Sequence, residues 1–358
     1  MSTDTQSAPA PAQQQRHVAV HRKLPRPAPL GLYLAGIALG AGLSALTGFS
    51  ITSTVIYGVV LGTLAVYVAT RAVEGRRKAT DRLVTCLVTT AFALAMVPLV
   101  SLVYTVLDNG LARFDSTFFS NSMFRVVGEG GGAYHAIFGT LIITALATVI
   151  SVPIGLMTAI YLVEYGTGRL KRAITFFVDV MTGIPSIVAG LFAFALFTLL
   201  FGNDVRLGVM GAVALSVLMI PVVVRSCEEV LKLVPNELRE ASYALGVPKW
   251  RTVVKVVLPT AIAGLGTGIT LAVARVVGET APLLVTVGLI TGTNLNPFDG
   301  RMATLPVFAY YQLTQPGTAT QAFLDRAWTA ALLLIMLVMA LNVVARLISR
   351  FFAPKTGR

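Results

Sequence analysis

Long apolar stretches separated by short polar segments dominate the chain. Most approach or exceed the roughly 20 residues that a helix needs to cross a bilayer, and few charges interrupt them. These stretches lie near 30–49, 53–70, 83–107, 136–162, 173–201, 208–224, 257–289 and 327–349. Because a helix satisfies its backbone hydrogen bonds within one segment, the pattern predicts an all-α membrane protein with about eight transmembrane helices.

The basic residues are distributed unequally between the two sides of these predicted helices. Twenty-two of the 28 Lys and Arg residues fall on one side. The five on the other side are Arg113, Arg125, Arg206, Arg301 and Arg326. Since cytoplasmic loops carry the excess of Lys and Arg, we expect a multi-pass protein with both termini in the cytoplasm.

The composition agrees with a membrane location. Hydrophobic residues make up 55% of the chain and charged residues 12%, against about 25% charged residues in soluble domains. In a membrane protein, Lys and Arg gather in cytoplasmic loops and set the orientation, which accounts for the net charge of +12. We therefore expect no nucleic-acid partner. Cys86 and Cys227 are too few and too widely spaced for a disulfide framework or a metal site, so no bound metal is expected.

Three regions follow from these patterns. Residues 1–28 are rich in Ala, Pro and Gln and predict a disordered cytoplasmic tail. A basic segment follows the second apolar stretch, so residues 29–78 predict an extra transmembrane hairpin, and 79–352 form the predicted functional domain. The hairpin carries glycines spaced four apart, which permit close helix contact: Gly36 with Gly40, and Gly58 with Gly62.

Helix-breaking residues occur inside the apolar stretches. Gly183 and Pro185 are expected to kink or interrupt the fifth helix, and Pro153 the fourth. Broken membrane helices usually line a cavity rather than face lipid. The long outer segment at about 291–325 is either a surface for a soluble partner or a connector.

Ionisable residues at membrane depth form a short group of candidates. Arg275 and Glu279 are four apart, and Arg225 and Glu228 three apart, so each pair is expected to share a helix face. Asp179 lies in the fifth helix. Inserting each of these charged side chains into a membrane costs roughly 2.5–3.5 kcal/mol of free energy. The residues alone leave two interpretations open: a polar path for an anion, bound by the Arg donor fork, or salt bridges that fix helix packing.

A polar, helix-prone segment at 240–259 reads EASYALGVPKWRTVVKVVLP. It resembles the EAA loop of ABC importer permeases, with Ser242 and Val256 replacing residues of similar size. The resemblance implies a cytoplasmic coupling helix at about 236–250 that docks into a separate ATPase. The residues implied in this contact are Glu240, Ala241, Gly246 and Trp250. Asn236 is the expected N-cap of this helix.

A second run, AVARVVGETAPLLVTVG at 272–288, resembles the signature of phosphate-specific ABC importers. Its continuation through Leu284, together with residues 221–250, is similar to the PstA-type permease family. The resemblance implies a six-helix, type I (MetI-like) permease core, with the N-terminal hairpin outside it. It also implies that Arg225, Glu228, Arg275 and Glu279 belong to the phosphate path.

The resemblance further implies a location in the bacterial inner (plasma) membrane and a set of partners. These are a PstC-like permease subunit, two copies of an ATPase subunit, an extracytoplasmic phosphate-binding protein and, as an additional candidate, a phosphate-signalling regulator. The chain is expected to be a transport subunit and not an enzyme. It has no G-x-x-x-x-G-K-[ST] loop, so it is expected to bind no cofactor, with ATP and Mg bound by the ATPase.

Three alternatives remain beside phosphate import. The same fold could import sulfate, molybdate or phosphonate. An ion-coupled secondary transporter or channel would need no ATPase, and the EAA-like spacing would then be accidental. A structural or signalling membrane protein would have no need for Arg and Glu at membrane depth.

Overall fold

The computed structural model describes residues 24–25, 27–48 and 50–352, and the predicted tail at 1–28 lies almost wholly outside them. Every regular element in this part of the chain is helical. The α-helices are α1 (Ala28–Thr47), α2 (Ile51–Glu74), α3 (Arg76–Gly110), α4 (Ser116–Ser120), α5 (Tyr134–Ile160), α6 (Gly168–Thr182), α7 (Ser186–Phe201), α8 (Gly208–Lys232), α9 (Asn236–Ala244), α10 (Lys249–Thr252), α11 (Leu258–Val277), α12 (Ala281–Thr286), α13 (Leu305–Thr314) and α14 (Thr320–Phe352). Two π-helical turns, Tyr161–Tyr165 and Val253–Val257, follow α5 and α10.

Seven helical segments in the described residues are long and apolar enough to cross a membrane. The spans are Ala28–Leu46, Ile51–Glu74, Arg76–Gly110, Tyr134–Tyr165, Gly208–Lys232, Lys249–Val277 and Thr320–Phe351. The pair α6 and α7 passes the same test together and makes an eighth candidate. The expected all-α class and the number of spans are therefore confirmed.

Two of the predicted spans are not single helices. The stretch 173–201 bends by 107° between α6 and α7, where Gly183 and Pro185 interrupt it as expected. The stretch 257–289 ends early, because α11 stops at Val277 and Gly278 follows it. Hydropathy detects that these stretches are apolar, but it does not detect a change of direction within them.

The predicted outer segment at 291–325 is more than a connector. It contains α13, whose first turn is buried and held against α5. The backbone N–H of Leu305 donates to the Thr140 hydroxyl at 2.8 Å. A Cβ added at Gly139 would collide with the Ala303 carbonyl, so glycine permits this close approach.

Two compact units divide the described residues, the first ending at Leu102 and the second beginning at Val103. The first contains α1 and α2, which pack against each other as a hairpin. A Cβ added at Gly36 would collide with the backbone of Gly62, and one at Gly40 with that of Gly58. The predicted glycine pairs therefore lie directly at the helix contact. The proposed division at 78/79 stays a prediction.

Replacing Gly36 with Val is expected to destabilise the hairpin by about 1–3 kcal/mol, because overpacked side chains force the backbones apart. The Gly42→Val variant is the matched control, since nothing lies within 4 Å of a Cβ at Gly42 on the same helix. Unfolding of the purified protein in SDS measures the difference, with the α1–α2 contact monitored by disulfide cross-linking between cysteines introduced into the two helices. Equal stability of the two variants would contradict the role of glycine in this contact.

In the second unit, α5, α8 and α11 surround the largest apolar core. Arg326, counted above among the outer basic residues, is instead fully buried in α14. Its guanidinium donates to Gln312 Oε1 at 3.0 Å and to the carbonyls of Gly128 and Gly130 at 2.8 and 2.9 Å. Arg326 therefore fixes the loop that contains Gly128 and Gly130, and its guanidinium is not part of an exposed basic surface.

Candidate functional site

A polar cavity of about 230 Å³ lies at the bend between α6 and α7. Its volume is well above the roughly 30 Å³ that one water occupies in the liquid, so a hydrated small anion fits. The lining residues are Met181, Thr182, Ile184, Ser186, Leu218, Val222, Arg275, Val276 and Glu279. The cavity therefore brings together the broken fifth span, α8 and the C-terminal end of α11.

The bend places the start of α7 at this cavity. Pro185 has φ −58° and precedes the first helical residue, Ser186, so α7 begins directly after the break. The first N–H groups of a helix lack intrahelical acceptors and carry the positive end of its dipole. The N-terminus of α7 and the Ser186 hydroxyl therefore offer hydrogen-bond donors to an anion.

Arg275 and Glu279 line the same cavity, but not as the predicted pair on one helix face. Arg275 lies in the last turn of α11, whereas Glu279 follows Gly278 beyond the helix end. Within the described residues, neither side chain makes an ion pair or a hydrogen bond. Arg275 is exposed and Glu279 half-buried, so both charges remain available to a ligand.

Arg225 and Glu228 are engaged with other side chains. As predicted they share a face of α8, and Arg225 donates to Glu228 at 2.7 Å. Arg225 also pairs with Asp179 of α6, and Lys232 pairs with Glu228 at 2.7 Å. This network joins α6 to α8 about one helical turn from the cavity residues Thr182 and Val222. A role for Arg225 and Glu228 in the substrate path stays a prediction.

The predicted coupling helix at 236–250 is two helices and a turn. Helix α9 ends at Ala244, Gly246 adopts φ +74°, and α10 begins at Lys249. The left-handed conformation at Gly246 is strained for other residues and reverses the chain. The buried hydroxyls of Ser242 and Thr252 lie 2.8 Å apart and tie the two helices together.

Asn236 is the first residue of α9 and does not cap it, contrary to the prediction. Its side-chain oxygen instead accepts a hydrogen bond from Arg239 at 3.2 Å. The N-cap position is taken by Pro235, which makes no side-chain hydrogen bond.

The four predicted docking residues lie on an exposed segment. Glu240, Ala241, Gly246 and Trp250 are all exposed, and Trp250 leaves 58% of its surface accessible. Leu245 is 83% exposed beside them. An exposed Trp and Leu in a short, internally tied segment are suited to contact another protein. Their contact with an ATPase stays a prediction.

A buried ion pair that no pattern in the sequence predicted anchors this segment. Arg239 of α9 donates to Glu164 at 2.8 Å, and their side chains are 12% and 4% exposed. Arg239 also donates to the carbonyls of Leu231 and Val234 at 3.1 and 2.6 Å. Glu164 lies 75 residues earlier, in the π-helical turn after α5, so sequence spacing gave no sign of the pairing.

The Arg239→Ala variant is expected to lose about 3–5 kcal/mol, because it leaves the Glu164 carboxylate buried without a partner. The double variant Arg239→Met with Glu164→Leu should recover most of this loss, because apolar residues of similar size can replace a buried pair. Thermal unfolding of the three purified proteins gives the comparison. Equal loss in the single and double variants would exclude the unpaired charge as the cause.

The family described as "Binding-protein-dependent transport system inner membrane component" matches residues 151–358. The chain is 50% identical to phosphate transport system permease protein PstA 1 of Mycobacterium tuberculosis, over 79% of this chain and 91% of that protein. It is 39% identical to PstA of Pasteurella multocida, over 64% of this chain and 79% of that protein.

A solved structure shows the same fold. A chain of a bacterial alginate ABC transporter, in complex with an alginate pentasaccharide-bound periplasmic protein, superposes with a TM-score of 0.55 at 13% identity. The match covers 78% of this chain and 97% of that chain.

The spans and the bent helix pair are those of a multi-pass membrane protein, and the matches to its relatives make it a permease subunit of an ABC transporter. The chain belongs to the family of binding-protein-dependent transport system inner membrane components and, within it, to the PstA-type phosphate permeases. The family and fold class predicted from the sequence are therefore confirmed.

Proposed function

We propose that this chain is the transmembrane subunit of an ATP-driven importer that moves inorganic phosphate into the cytoplasm. The cavity at the α6–α7 bend carries the proposal, since Arg275, Ser186 and the N-terminus of α7 meet there. A guanidinium fork and helix N–H groups are the donors that tetrahedral oxyanions bind best. The naming of its relatives as phosphate permeases supports phosphate over sulfate, molybdate or phosphonate.

The importer is proposed to contain further subunits. A PstC-like permease subunit completes the path, two ATPase copies bind ATP and Mg, and an extracytoplasmic binding protein delivers phosphate. This chain binds no cofactor in the proposal, and a phosphate-signalling regulator remains a candidate partner. Both termini are proposed to lie in the cytoplasm, and the unequal distribution of Lys and Arg supports this orientation.

Movement of the ATPase is proposed to reach the cavity through α9, α10 and α11. The Ser242–Thr252 and Arg239–Glu164 contacts tie the exposed docking segment to its surroundings. After α10, a π-helical turn leads without a break into α11, whose last turn carries Arg275. A displacement at the docking segment is therefore transmitted along a continuous helical rod.

Reconstitution in proteoliposomes tests the proposal. The chain, its partner permease, the ATPase and the binding protein are expected to accumulate radiolabelled phosphate only when ATP is supplied. Omission of this chain is expected to abolish uptake. Uptake driven by an ion gradient without ATP would instead support a secondary transporter, and preferred uptake of sulfate or molybdate would change the substrate.

A further inference from the structure

We propose that Glu279 makes the cavity selective for oxyanions that carry a proton, so that hydrogen phosphate is accepted and sulfate is rejected. This inference rests on the proposed phosphate path. Phosphate and sulfate are nearly equal in size and shape, and Arg275 alone would attract both equally well. Glu279 would then distinguish between them.

The position of Glu279 leaves its carboxylate available to a ligand. Its backbone N–H donates to the Val276 carbonyl at 3.2 Å, which holds the residue at the end of α11. The side chain is half-buried at the cavity wall and has no hydrogen-bond or ion-pair partner in the described residues. Although Arg275 lines the same cavity, the two side chains do not pair.

The two carboxylates of the second unit that are buried in the described residues both have partners. Glu164 is paired with Arg239, and Glu228 with both Arg225 and Lys232. These pairs satisfy the carboxylate oxygens, as expected for charges removed from water. Glu279 lacks such a partner and shares a cavity with a free guanidinium. Its unused acceptor oxygens therefore indicate a site for a ligand that donates a hydrogen bond.

The chemistry of the anions supplies that donor. An ionised carboxylate is only a hydrogen-bond acceptor. Hydrogen phosphate and dihydrogen phosphate carry O–H groups at neutral pH, whereas sulfate and molybdate carry none. A protonated oxyanion can therefore donate to Glu279 while its other oxygens accept from Arg275 and Ser186. Sulfate would place lone pairs against the carboxylate, and polar groups left unpaired in this way produce strong discrimination.

The test measures anion binding to the purified permease–ATPase complex in lipid nanodiscs. Equilibrium binding of radiolabelled phosphate is challenged with arsenate, sulfate and molybdate. In the wild type, arsenate should compete about as well as phosphate because it also carries a proton, and sulfate and molybdate should compete at least roughly tenfold less well.

Two variants of Glu279 and one control complete the experiment. Glu279→Gln supplies an amide donor. The affinity for sulfate relative to phosphate should therefore rise roughly tenfold or more. Glu279→Asp retains the carboxylate and should still reject sulfate. Glu229→Gln makes the same change at an exposed glutamate of α8 and should match the wild type.

The outcomes separate the inference from the proposed function. Absence of phosphate binding by the wild-type complex would remove the proposed site and the inference with it. Phosphate binding with an unchanged sulfate-to-phosphate ratio in Glu279→Gln would overturn the inference alone. Equal competition by sulfate and arsenate in the wild type would overturn it as well, even if the Gln variant failed to assemble.

Discussion

Replacing Arg275 with Gln is expected to reduce phosphate uptake roughly 30- to 160-fold while the permease still assembles. A reduction of roughly 30- to 160-fold corresponds to about 2–3 kcal/mol. This energy lies within the range of roughly 1.5–3 kcal/mol that a hydrogen bond to a charged group contributes. The amide lacks both the charge and the donor fork that match an oxyanion. Because Arg275 makes no ion pair within the described residues, its loss leaves no carboxylate without a partner.

Uptake in whole cells and in proteoliposomes measures this effect, with the amount of membrane-inserted permease determined in parallel. Arg169→Gln is the matched control, because Arg169 is an exposed arginine in the first turn of α6, away from the cavity. Arg275→Lys keeps the charge but not the donor fork. Its phosphate uptake should lie between that of Arg275→Gln and that of Arg169→Gln. Full uptake by Arg275→Gln at normal expression would exclude this residue from the substrate path.

Replacing Gly246 with Glu is expected to abolish stable binding of the ATPase. Gly246 has φ +74°, and nothing lies within 4 Å of a Cβ built there. The new side chain would therefore project from the exposed turn between α9 and α10, where the docking surface is proposed. The left-handed backbone adds roughly 1–2 kcal/mol of strain.

A matched glycine separates loss of docking from backbone strain. Gly168 has φ +66°, is exposed and has equally open surroundings, but it is the first residue of α6 and lies outside the docking segment. Gly168→Glu thus introduces the same charge and the same strain elsewhere. Co-purification of the ATPase should be lost in Gly246→Glu and kept in Gly168→Glu. Retention in both variants would contradict the docking role, and loss in both would attribute the effect to strain.

Local features of the sequence predicted much of this architecture. Apolar runs of membrane-spanning length identify helices because lipid demands a long uncharged segment, whatever that segment packs against. The glycine pairs at Gly36 and Gly58 predicted a close helix contact for the same local reason. Gly183 and Pro185 predicted an interruption, and the resemblance of residues 240–259 to the EAA loop implied an exposed docking segment that contains Gly246.

The sequence by itself therefore determined the spans, their interruption and the residues that carry charge. Only the tertiary structure decided which charges meet. It placed Arg275 and Glu279 in one cavity without pairing them, joined Arg239 to Glu164 across 75 residues, and buried Arg326. Side-chain partners depend on the direction each helix takes after a break and on long-range packing, and neither hydropathy nor spacing along the chain contains that direction.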